Sequence, residues 1–332
     1  MATTKVIIVG DMHVVPEELD DCGEVIKLIQ SVARTEEVGE VWFVGDQHHN
    51  HELVHLAVMH WWKNALHSLS EVGIRTMLMV GNHDQLAPGS NIHSMMTYER
   101  LDKVKVVDTP TIRQGVLMVP YFHDKIAFLD AVNSQTDERR GAPKTIVCHQ
   151  TFDGSKYENG FYASDGIDPK LLPQELIISG HIHTPQEFGS VWYVGAPRWR
   201  GANDANTNRA IWVVTFEDGE LRSRIPYTTG DVCRQILHLE DTESSPVDMN
   251  FNHQHKYTVD VKGSPAWCER RKLELAAAGA RVRTFPSREF TREVKESDGV
   301  DVAFKGYLGA YHPKHGTDLG VLGTMAKQRS LM

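Results

Sequence analysis

The chain has 332 residues, 41% of them hydrophobic, and a formal net charge of −9, as is typical of a soluble globular protein. A net charge of −9 excludes a protein coated in positive charge for nonspecific nucleic-acid binding. It does not exclude a nucleic-acid enzyme, because metal ions can supply positive charge where phosphate reacts. No apolar run approaches the roughly 20 residues of a membrane span, and the N-terminus lacks the segments of a signal peptide. Because the four cysteines are far apart in sequence, we expect reduced thiols in a cytoplasmic protein.

A strand, a polar turn and a helix follow one another repeatedly in the first third of the chain. Short apolar runs at 5–10, 41–44 and 75–80 predict buried strands. The spacing of apolar residues predicts helices at 17–33 and at about 52–70. Strands that alternate with helices predict an α/β fold with a site at the carboxyl ends of its strands.

The middle of the chain continues with shorter elements. We expect a short helix and a strand within 92–108 and a helix at 124–133. Further apolar runs predict strands at 116–120, 144–148, 176–178, 191–194, 210–216 and 221–227. Between two of these strands, residues 151–170 form a long polar and glycine-rich loop, and loops of that length are usually functional or mobile.

The character of the sequence changes at 228–256, which is polar and partly acidic and therefore predicts a domain boundary. A strand, a helix and a strand within 257–285 then predict a small β-α-β unit. The window 269–292 holds seven Lys and Arg against three Glu, so it predicts either an ordinary solvated surface or a contact with a phosphate backbone. We divide the chain into a main domain at 1–228, a small domain at 229–300 and a tail at 301–332.

Polar residues of metal-binding types follow the predicted strands. They are Asp11, His13, Asp46, Asn82, His83, His149, His181 and His183. Imidazole, carboxylate and amide groups are ligands for borderline divalent cations, and a pair of ions roughly 4 Å apart can bind both a water and a phosphoryl oxygen. In an extended segment, His181 and His183 point the same way and can reach one region. One such residue alone is often part of a polar turn, but their recurrence at five strand ends predicts a metal site.

The motifs GDMH, GDQHH, GNHD and GHIH, with a histidine after KTIVC, resemble those of the calcineurin-like metallophosphoesterase superfamily over about residues 4–216. The resemblance implies a four-layer α/β/β/α metallophosphoesterase sandwich with two divalent metal ions at the sheet edges. It implies Asp11, His13 and His183 as ligands of one ion, Asn82, His149 and His181 as ligands of the other, and Asp46 as the bridge. His83 would face the leaving oxygen as a general acid or stabilise its charge. Imidazole ligands favour manganese, zinc or iron over magnesium, and we expect Mn²⁺.

The residues of the second motif, GDQHH, distinguish the branches of this superfamily. Protein phosphatases carry Asp-Arg-Gly there, whereas this chain has His49 three residues after Asp46. That histidine and the segment VWYVGAPRWRG resemble the SbcD-like DNA repair nuclease subunits, although their usual Arg/Asn-Pro-Ser run is missing here. By that resemblance, His49 helps to position the scissile phosphate and His83. Arg198 and Arg200 either meet substrate phosphates or lie in an ordinary surface turn.

The same resemblance implies the nuclease subunit of an SbcCD-like DNA repair and recombination complex, compact as in bacteriophages. DNA would be the substrate, and the small domain would be an α+β capping domain that contacts DNA. An SbcC-type, SMC-like ATPase would be the partner, and a homodimer is compatible with this arrangement. Candidate apolar anchors for the ATPase are Phe304, Tyr307, Leu308 and Tyr311 in the tail. Exonuclease and endonuclease activity both stay open.

A stand-alone metallophosphoesterase that acts on a small-molecule phosphodiester or phosphomonoester is the alternative. The acidic charge favours it, as does the loop at 151–170, which could close over a small pocket. A third interpretation is a binding scaffold on an inactive phosphoesterase fold. It requires lost ligands, and none of the expected ligands is missing from the sequence.

Overall fold

The structure, a computed structural model, describes residues 3–135, 142–157 and 159–287. The predicted tail at 301–332, with its candidate apolar anchors, lies outside these residues, as does the end of the basic window. Within the described ranges, no helix is long and apolar enough to cross a bilayer.

Strands and helices form close to where the apolar pattern predicts them. The strands are β1 (Thr3–Val9), β2 (Glu40–Phe43), β3 (Arg75–Met79), β4 (Val104–Val107), β5 (Thr111–Arg113), β6 (Val116–Val119), β7 (Thr145–Cys148), β8 (Leu176–Ser179), β9 (Gln186–Phe188), β10 (Val191–Tyr193), β11 (Ala210–Glu217), β12 (Glu220–Thr228), β13 (Ile236–Thr242), β14 (Lys256–Gly263) and β15 (Arg281–Pro286). The helices are α1 (Leu19–Thr35), α2 (Leu56–Glu71), α3 (Lys125–Asn133) and α4 (Pro265–Ala277). Strands β5 and β9 were not predicted, because each has only three residues and forms the edge of a sheet.

Two six-stranded sheets form the main part of the molecule, in the orders β12-β11-β1-β2-β3-β4 and β5-β6-β7-β8-β10-β9. The first sheet is parallel from β1 to β4, and the second is parallel from β6 through β10. Antiparallel strands complete both sheets at their edges. The carboxyl ends of neighbouring parallel strands therefore meet at the same edge of each sheet.

The apolar residues of each strand divide between two cores, because successive side chains point to opposite faces. Val6 and Ile8 of β1 pack into the core between the sheets, whereas Ile7 and Val9 pack against α1 and α2. On the outer face of the second sheet, α3 contributes Phe128 to a third core. Helices thus cover both outer faces, and the predicted α/β/β/α sandwich is confirmed.

A third, three-stranded parallel sheet, β13-β14-β15, follows the sandwich and packs against α4. This is the predicted β-α-β unit with one strand more, because β13 lies inside the stretch that was predicted to be a boundary. In β13 only Ile236 and Asp241 are buried, and the strand ends in the polar residues Glu240, Asp241 and Thr242, so it resembles the polar stretch around it.

Arginines of the basic window are neutralised within this small unit. The guanidinium of Arg271 is buried and donates hydrogen bonds to Asp241 at 2.7 and 3.0 Å. Arg283 pairs with Asp260 at 2.6 Å, and Arg270 lies 3.9 Å from Glu274. These pairs favour a structural role for the arginines over a contact with phosphate.

An ion pair joins the two large sheets at the end away from the strand carboxyl termini. The carboxylate of Glu40, at the start of β2, is nearly fully buried and accepts hydrogen bonds from Arg113 of β5 through two nitrogens. It also accepts from the indole of Trp42 at 2.7 Å and from Arg75 at 3.4 Å. The paired carboxylate therefore joins the sheets at this end. Removing its charge would leave the guanidinium of Arg113 without an ionic partner, which is destabilising.

Replacing Glu40 with Gln should lower the free energy of unfolding by about 1–2 kcal/mol at neutral pH. Burial raises the pKa of Glu40, but Arg113 and Trp42 outweigh it and hold the pKa below the ordinary value of 4.5. The stabilisation is therefore present above the pKa of the unfolded carboxyl and disappears as pH falls through the folded pKa. Urea denaturation should show a difference between the proteins that shrinks below about pH 4.5.

The exposed Glu71, which pairs with the exposed His67 at 3.2 Å, provides the matched control. The Glu71→Gln variant should stay within about 0.5 kcal/mol of the wild type, since exposed pairs contribute little. A Glu40→Gln variant as stable as this control at neutral pH would contradict the prediction.

Candidate metal centre

The predicted metal ligands lie just beyond the carboxyl ends of five strands. Asp11 and His13 follow β1, Asp46 follows β2, Asn82 and His83 follow β3, His149 follows β7, and His181 and His183 follow β8. Strands β1, β2 and β3 are neighbours in the first sheet, as β7 and β8 are in the second, so the packing of the two sheets brings these residues together.

One group consists of Asp11, His13 and His183, whose ligand atoms all lie within 4.8 Å of one another. The Nε2 atoms of the two histidines are 3.0 Å apart. In Asp11, Oδ1 accepts a hydrogen bond from the amide of His181, whereas the buried Oδ2 has no hydrogen-bond partner. A buried carboxylate oxygen without a partner is costly, so a divalent cation fits this position.

The second group consists of Asp46, His149 and His181, again within 4.8 Å of one another. The Oδ1 atom of Asn82 lies 3.0 Å from His149 Nε2 and 2.8 Å from His181 Nδ1, which places the amide in this group as well. His149 Nδ1 donates to the carbonyl of Val44 at 2.8 Å. That hydrogen bond leaves Nε2 unprotonated in the neutral ring and directs it at the centre of the group.

Asp46 lies between the two groups. Its Oδ1 atom is 3.3 Å from His149 Nε2, and its Oδ2 atom is 3.5 Å from His13 Nε2. The amide of His83 donates to Oδ1 at 2.8 Å and fixes the carboxylate. This is the arrangement that a bridging ligand needs, although metal binding by these residues stays a prediction.

The turns that carry these residues depend on glycine at two positions. Gly45 has a φ of +105°, and a Cβ there would lie 2.0 Å from Nδ1 of His149. A Cβ on Gly81 would lie 2.2 Å from Oδ1 of Asp46. Asp46 itself has a φ of +55°, a left-handed conformation that is unfavourable for a residue with a side chain. The Gly-Asp and Gly-Asn motifs therefore reflect close packing around Asp46.

Burial and the mutual contacts of these groups shift their pKa values in opposite directions. Burial alone would lower the pKa of His149, but the carboxylates of Asp46 and Asp11 raise it to about 9. Burial alone would raise the pKa of Asp46, but His149 holds it well below its usual range. Burial and the charge of His149 lower the pKa of His181 to about 3. These opposite shifts in pKa favour a protonated His149 beside an ionised Asp46 when no metal is bound.

Asp84 supports the site from behind. Its carboxylate is buried and accepts hydrogen bonds from the amides of His48 and Gly81 at 3.0 and 2.9 Å. Burial and the charge of Asp46 raise the pKa of Asp84 to about 7. Because both its oxygens bond to backbone amides, Asp84 connects the turns that follow β2 and β3.

His49 and His83 lie at the mouth of the first group. Nδ1 of His83 donates a hydrogen bond to the carbonyl of His49 at 2.6 Å, and the two rings stack with their centroids 5.5 Å apart. Nδ1 of His49 also lies 3.5 Å from Nδ1 of His13. The ligand atoms of His13, His49 and His83 lie within 4.8 Å of one another, so a role for His49 as a ligand is geometrically open.

The two arginines that follow β10 have different roles. Arg198 is buried and donates to the carbonyl of Met12 at 2.8 Å and to Glu18 at 3.1 Å, so it neither lies in an ordinary surface turn nor faces a substrate phosphate. Arg200 donates from Nη1 to Nδ1 of His49 at 3.1 Å and thus lies beside the site. Residues two apart in an extended segment would point the same way, so sequence alone does not say that only one of the two arginines faces the site.

Tyr121 is a site residue that sequence reasoning missed. Its ring is nearly parallel to that of His181, with the centroids 6.1 Å apart, and it lines a cavity of about 430 Å³. An aromatic residue shortly after a strand is common, so the sequence contained no signal that would place Tyr121 beside the site.

A buried Asp-His centre at the adjoining edges of two sheets is the feature that a two-metal phosphoesterase requires, and the sequence comparison agrees with it. The chain belongs to the calcineurin-like phosphoesterase family, whose model matches residues 4–185. That family binds two divalent metals, and the two groups of ligands fit this requirement. The suspected superfamily is thus confirmed.

The chain is also similar to a named bacteriophage protein. It is 28% identical over 169 residues to "Exonuclease subunit 1" of Enterobacteria phage T4. The alignment covers 48% of this chain and 48% of that protein. The chain therefore spans about half the length of this curated relative.

Binding of Mn²⁺ to the metal-free protein at pH 7 should release a proton from His149, because a ligand imidazole has to be neutral. Calorimetric titration in buffers of different ionisation enthalpy measures that release. At saturating Mn²⁺, the Asp46→Asn variant should release fewer protons than the wild type, because loss of the carboxylate lets the pKa of His149 fall.

The control for this titration is His48→Gln. His48 is a buried histidine of the same turn, and burial lowers its pKa to about 4, so it carries no proton at pH 7. Its variant should release as many protons as the wild type. Equal release by the wild type and Asp46→Asn would contradict the assignment of the proton to His149.

Proposed function

We propose that this protein is a Mn²⁺-dependent phosphodiester hydrolase that cuts DNA as the nuclease subunit of an SbcCD-like repair and recombination complex. The observation that carries the proposal is the group formed by His49, His83 and Arg200 at the mouth of the two-metal centre. The similarity to a phage protein named as an exonuclease subunit supports it independently.

The ligand groups described above would hold the ions. Asp11, His13 and His183 would hold one ion, Asn82, His149 and His181 would hold the other, and Asp46 would contribute to both. Two divalent ions supply the charge that binds a phosphoryl oxygen and activates a water for attack. Mixed imidazole and carboxylate ligands suit Mn²⁺ better than Mg²⁺.

His83 would act on the leaving oxygen through Nε2. Its Nδ1 atom is committed to the carbonyl of His49, so Nε2 is the ring atom that stays free to exchange a proton with substrate. Burial lowers the pKa of His83, although the charge of Asp46 opposes that effect. An approaching phosphate raises the pKa again, which favours a protonated ring when the substrate is bound.

His49 and Arg200 would bind the phosphate backbone. An arginine can only donate, so His49 Nδ1 accepts its hydrogen bond and the proton of the neutral ring lies on Nε2. Burial and the charge of Arg200 lower the pKa of His49 to about 4, which is consistent with a neutral ring. The guanidinium of Arg200 and the Nε2–H group of His49 thus form a pair of donors for the phosphate next to the scissile one.

We further propose that the main domain at 1–228 carries the nuclease site, that the small domain at 229–300 caps it, and that the tail at 301–332 binds an SbcC-type ATPase. The relative's printed name, which describes one subunit of an exonuclease, supports a partner of this kind. The separate apolar core formed by β13, β14, β15 and α4 supports the division between the first two domains.

A stand-alone hydrolase of small phosphodiesters is the second candidate. The cavity of about 430 Å³ that Tyr121 lines favours it, because a small substrate could place its non-phosphate part there while its phosphate meets the metal centre.

Replacing His83 with Ala should reduce kcat on DNA by about 10²- to 10⁴-fold, because the leaving oxygen loses its proton donor. Elemental analysis should show an unchanged manganese content, since His83 is not one of the proposed ligands. His60→Ala, which removes an exposed histidine of α2, is the control and should cleave DNA at the wild-type rate. Loss of manganese from His83→Ala would instead assign His83 to metal binding.

Replacing His49 with Ala should reduce cleavage of DNA roughly 10- to 100-fold, because one donor to a charged phosphate is lost. Hydrolysis of bis-p-nitrophenyl phosphate, which has no neighbouring phosphate, should change little. Both substrates are assayed with Mn²⁺, and the DNA panel includes single-stranded, double-stranded and circular forms.

The same panel separates the two candidate functions. Normal cleavage of DNA by His49→Ala would remove the main argument for the nuclease. Turnover of small diesters without cleavage of any DNA, with or without an SMC-like ATPase, would decide for the stand-alone hydrolase.

A further inference from the structure

A buried imidazole outside the two-metal centre makes no hydrogen bond through its ring nitrogens. His93 precedes a short 3₁₀ helix, Ser94–Tyr98, and only 6% of its surface is exposed. Neither Nδ1 nor Nε2 of this ring makes a hydrogen bond. Buried polar atoms are nearly always paired, so a ring in this state points to a missing ligand.

Two carboxylates converge on the same ring. Asp108 directly follows β4, and its Oδ2 atom lies 3.6 Å from His93 Nε2, which is too long for a hydrogen bond. Glu99 directly follows the 3₁₀ helix. One ligand atom from each of the three residues lies within 4.8 Å of the other two. A cation about 2.1 Å from each of two ligand atoms holds them at most about 4.2 Å apart, so these three side chains need at most a small shift to bind one.

We propose that His93, Glu99 and Asp108 bind a divalent cation of the Mn²⁺ or Zn²⁺ type, separate from the two-metal centre. One imidazole and two carboxylates provide the mixed nitrogen and oxygen ligands that such ions prefer. His93 and Asp108 also line the cavity of about 430 Å³, which gives the ion an entry path and room for waters to complete its coordination.

An ion at this site would stabilise the loops of the catalytic centre. The 3₁₀ helix that its ligands enclose contacts both loops: the amide of Ser94 donates to the carbonyl of Asp84 at 2.8 Å, and the hydroxyl of Tyr98 lies 3.2 Å from His48 Nε2. The ion therefore attaches this helix to β4 and, through it, supports the turns that carry His83 and His49.

The test is to count the Mn²⁺ ions bound per chain by equilibrium dialysis of the full-length protein, followed by elemental analysis. The wild type should bind one equivalent more than Glu99→Gln and than the double variant His93→Ala/Asp108→Asn. His123→Ala is the matched control, because His123 is an exposed histidine that lines the same cavity outside the group, and it should bind as much as the wild type.

Glu99→Gln changes an exposed side chain and keeps its shape, so it tests the site even if the double variant does not fold. Hydrogen exchange gives a second readout: Mn²⁺ should slow exchange across residues 94–107 in the wild type and in His123→Ala, but not in Glu99→Gln. Equal Mn²⁺ content and equal protection from hydrogen exchange in Glu99→Gln and in the wild type would overturn the proposal. His93 and the two carboxylates would then interact only with one another. Both readouts are independent of catalysis, so failure to cleave DNA would not affect them.

Discussion

The buried carboxylate of Asp46 is the group on which the rest of the structure depends. A charge at this depth without a partner costs several kcal/mol, so every element around it has to supply one. The second sheet brings His149 within 3.3 Å, and the turn after β3 supplies the amide of His83 at 2.8 Å. The same turn needs glycine at position 81, because any side chain there would collide with the carboxylate.

Two parallel sheets packed face to face provide this arrangement. The core between them aligns the sheets, so the carboxyl ends of β1, β2 and β3 lie opposite those of β7 and β8. The pair of Glu40 and Arg113 joins the sheets at the other end, away from the metal centre. The strained turns are therefore supported by a rigid frame, and the surrounding contacts hold their residues of positive φ, which are His13, Asp46 and His181.

Under the proposed function, the phosphoesterase chemistry and the preference for DNA would come from different parts of this site. The proposed metal ligands lie at strand ends, whereas His49 and Arg200 lie on loops. The arginines of the small β-α-β unit do not add to a phosphate-binding surface where carboxylates neutralise them, as Asp241 neutralises Arg271. The proposed nuclease thus relies on its metal ions and a few loop residues to attract DNA, as the net charge of −9 also suggests.

The sequence by itself determined the α/β architecture, the family and the identity of the candidate ligands, because apolar alternation and the residues after each strand are local in the chain. Only the tertiary structure decided which of Arg198 and Arg200 faces the site and how Asp84 connects the turns that follow β2 and β3. It also revealed β13, which lies in a mostly polar stretch of the sequence, and the group around His93. These features depend on contacts between residues far apart in sequence, and such contacts leave no periodic signal in the chain.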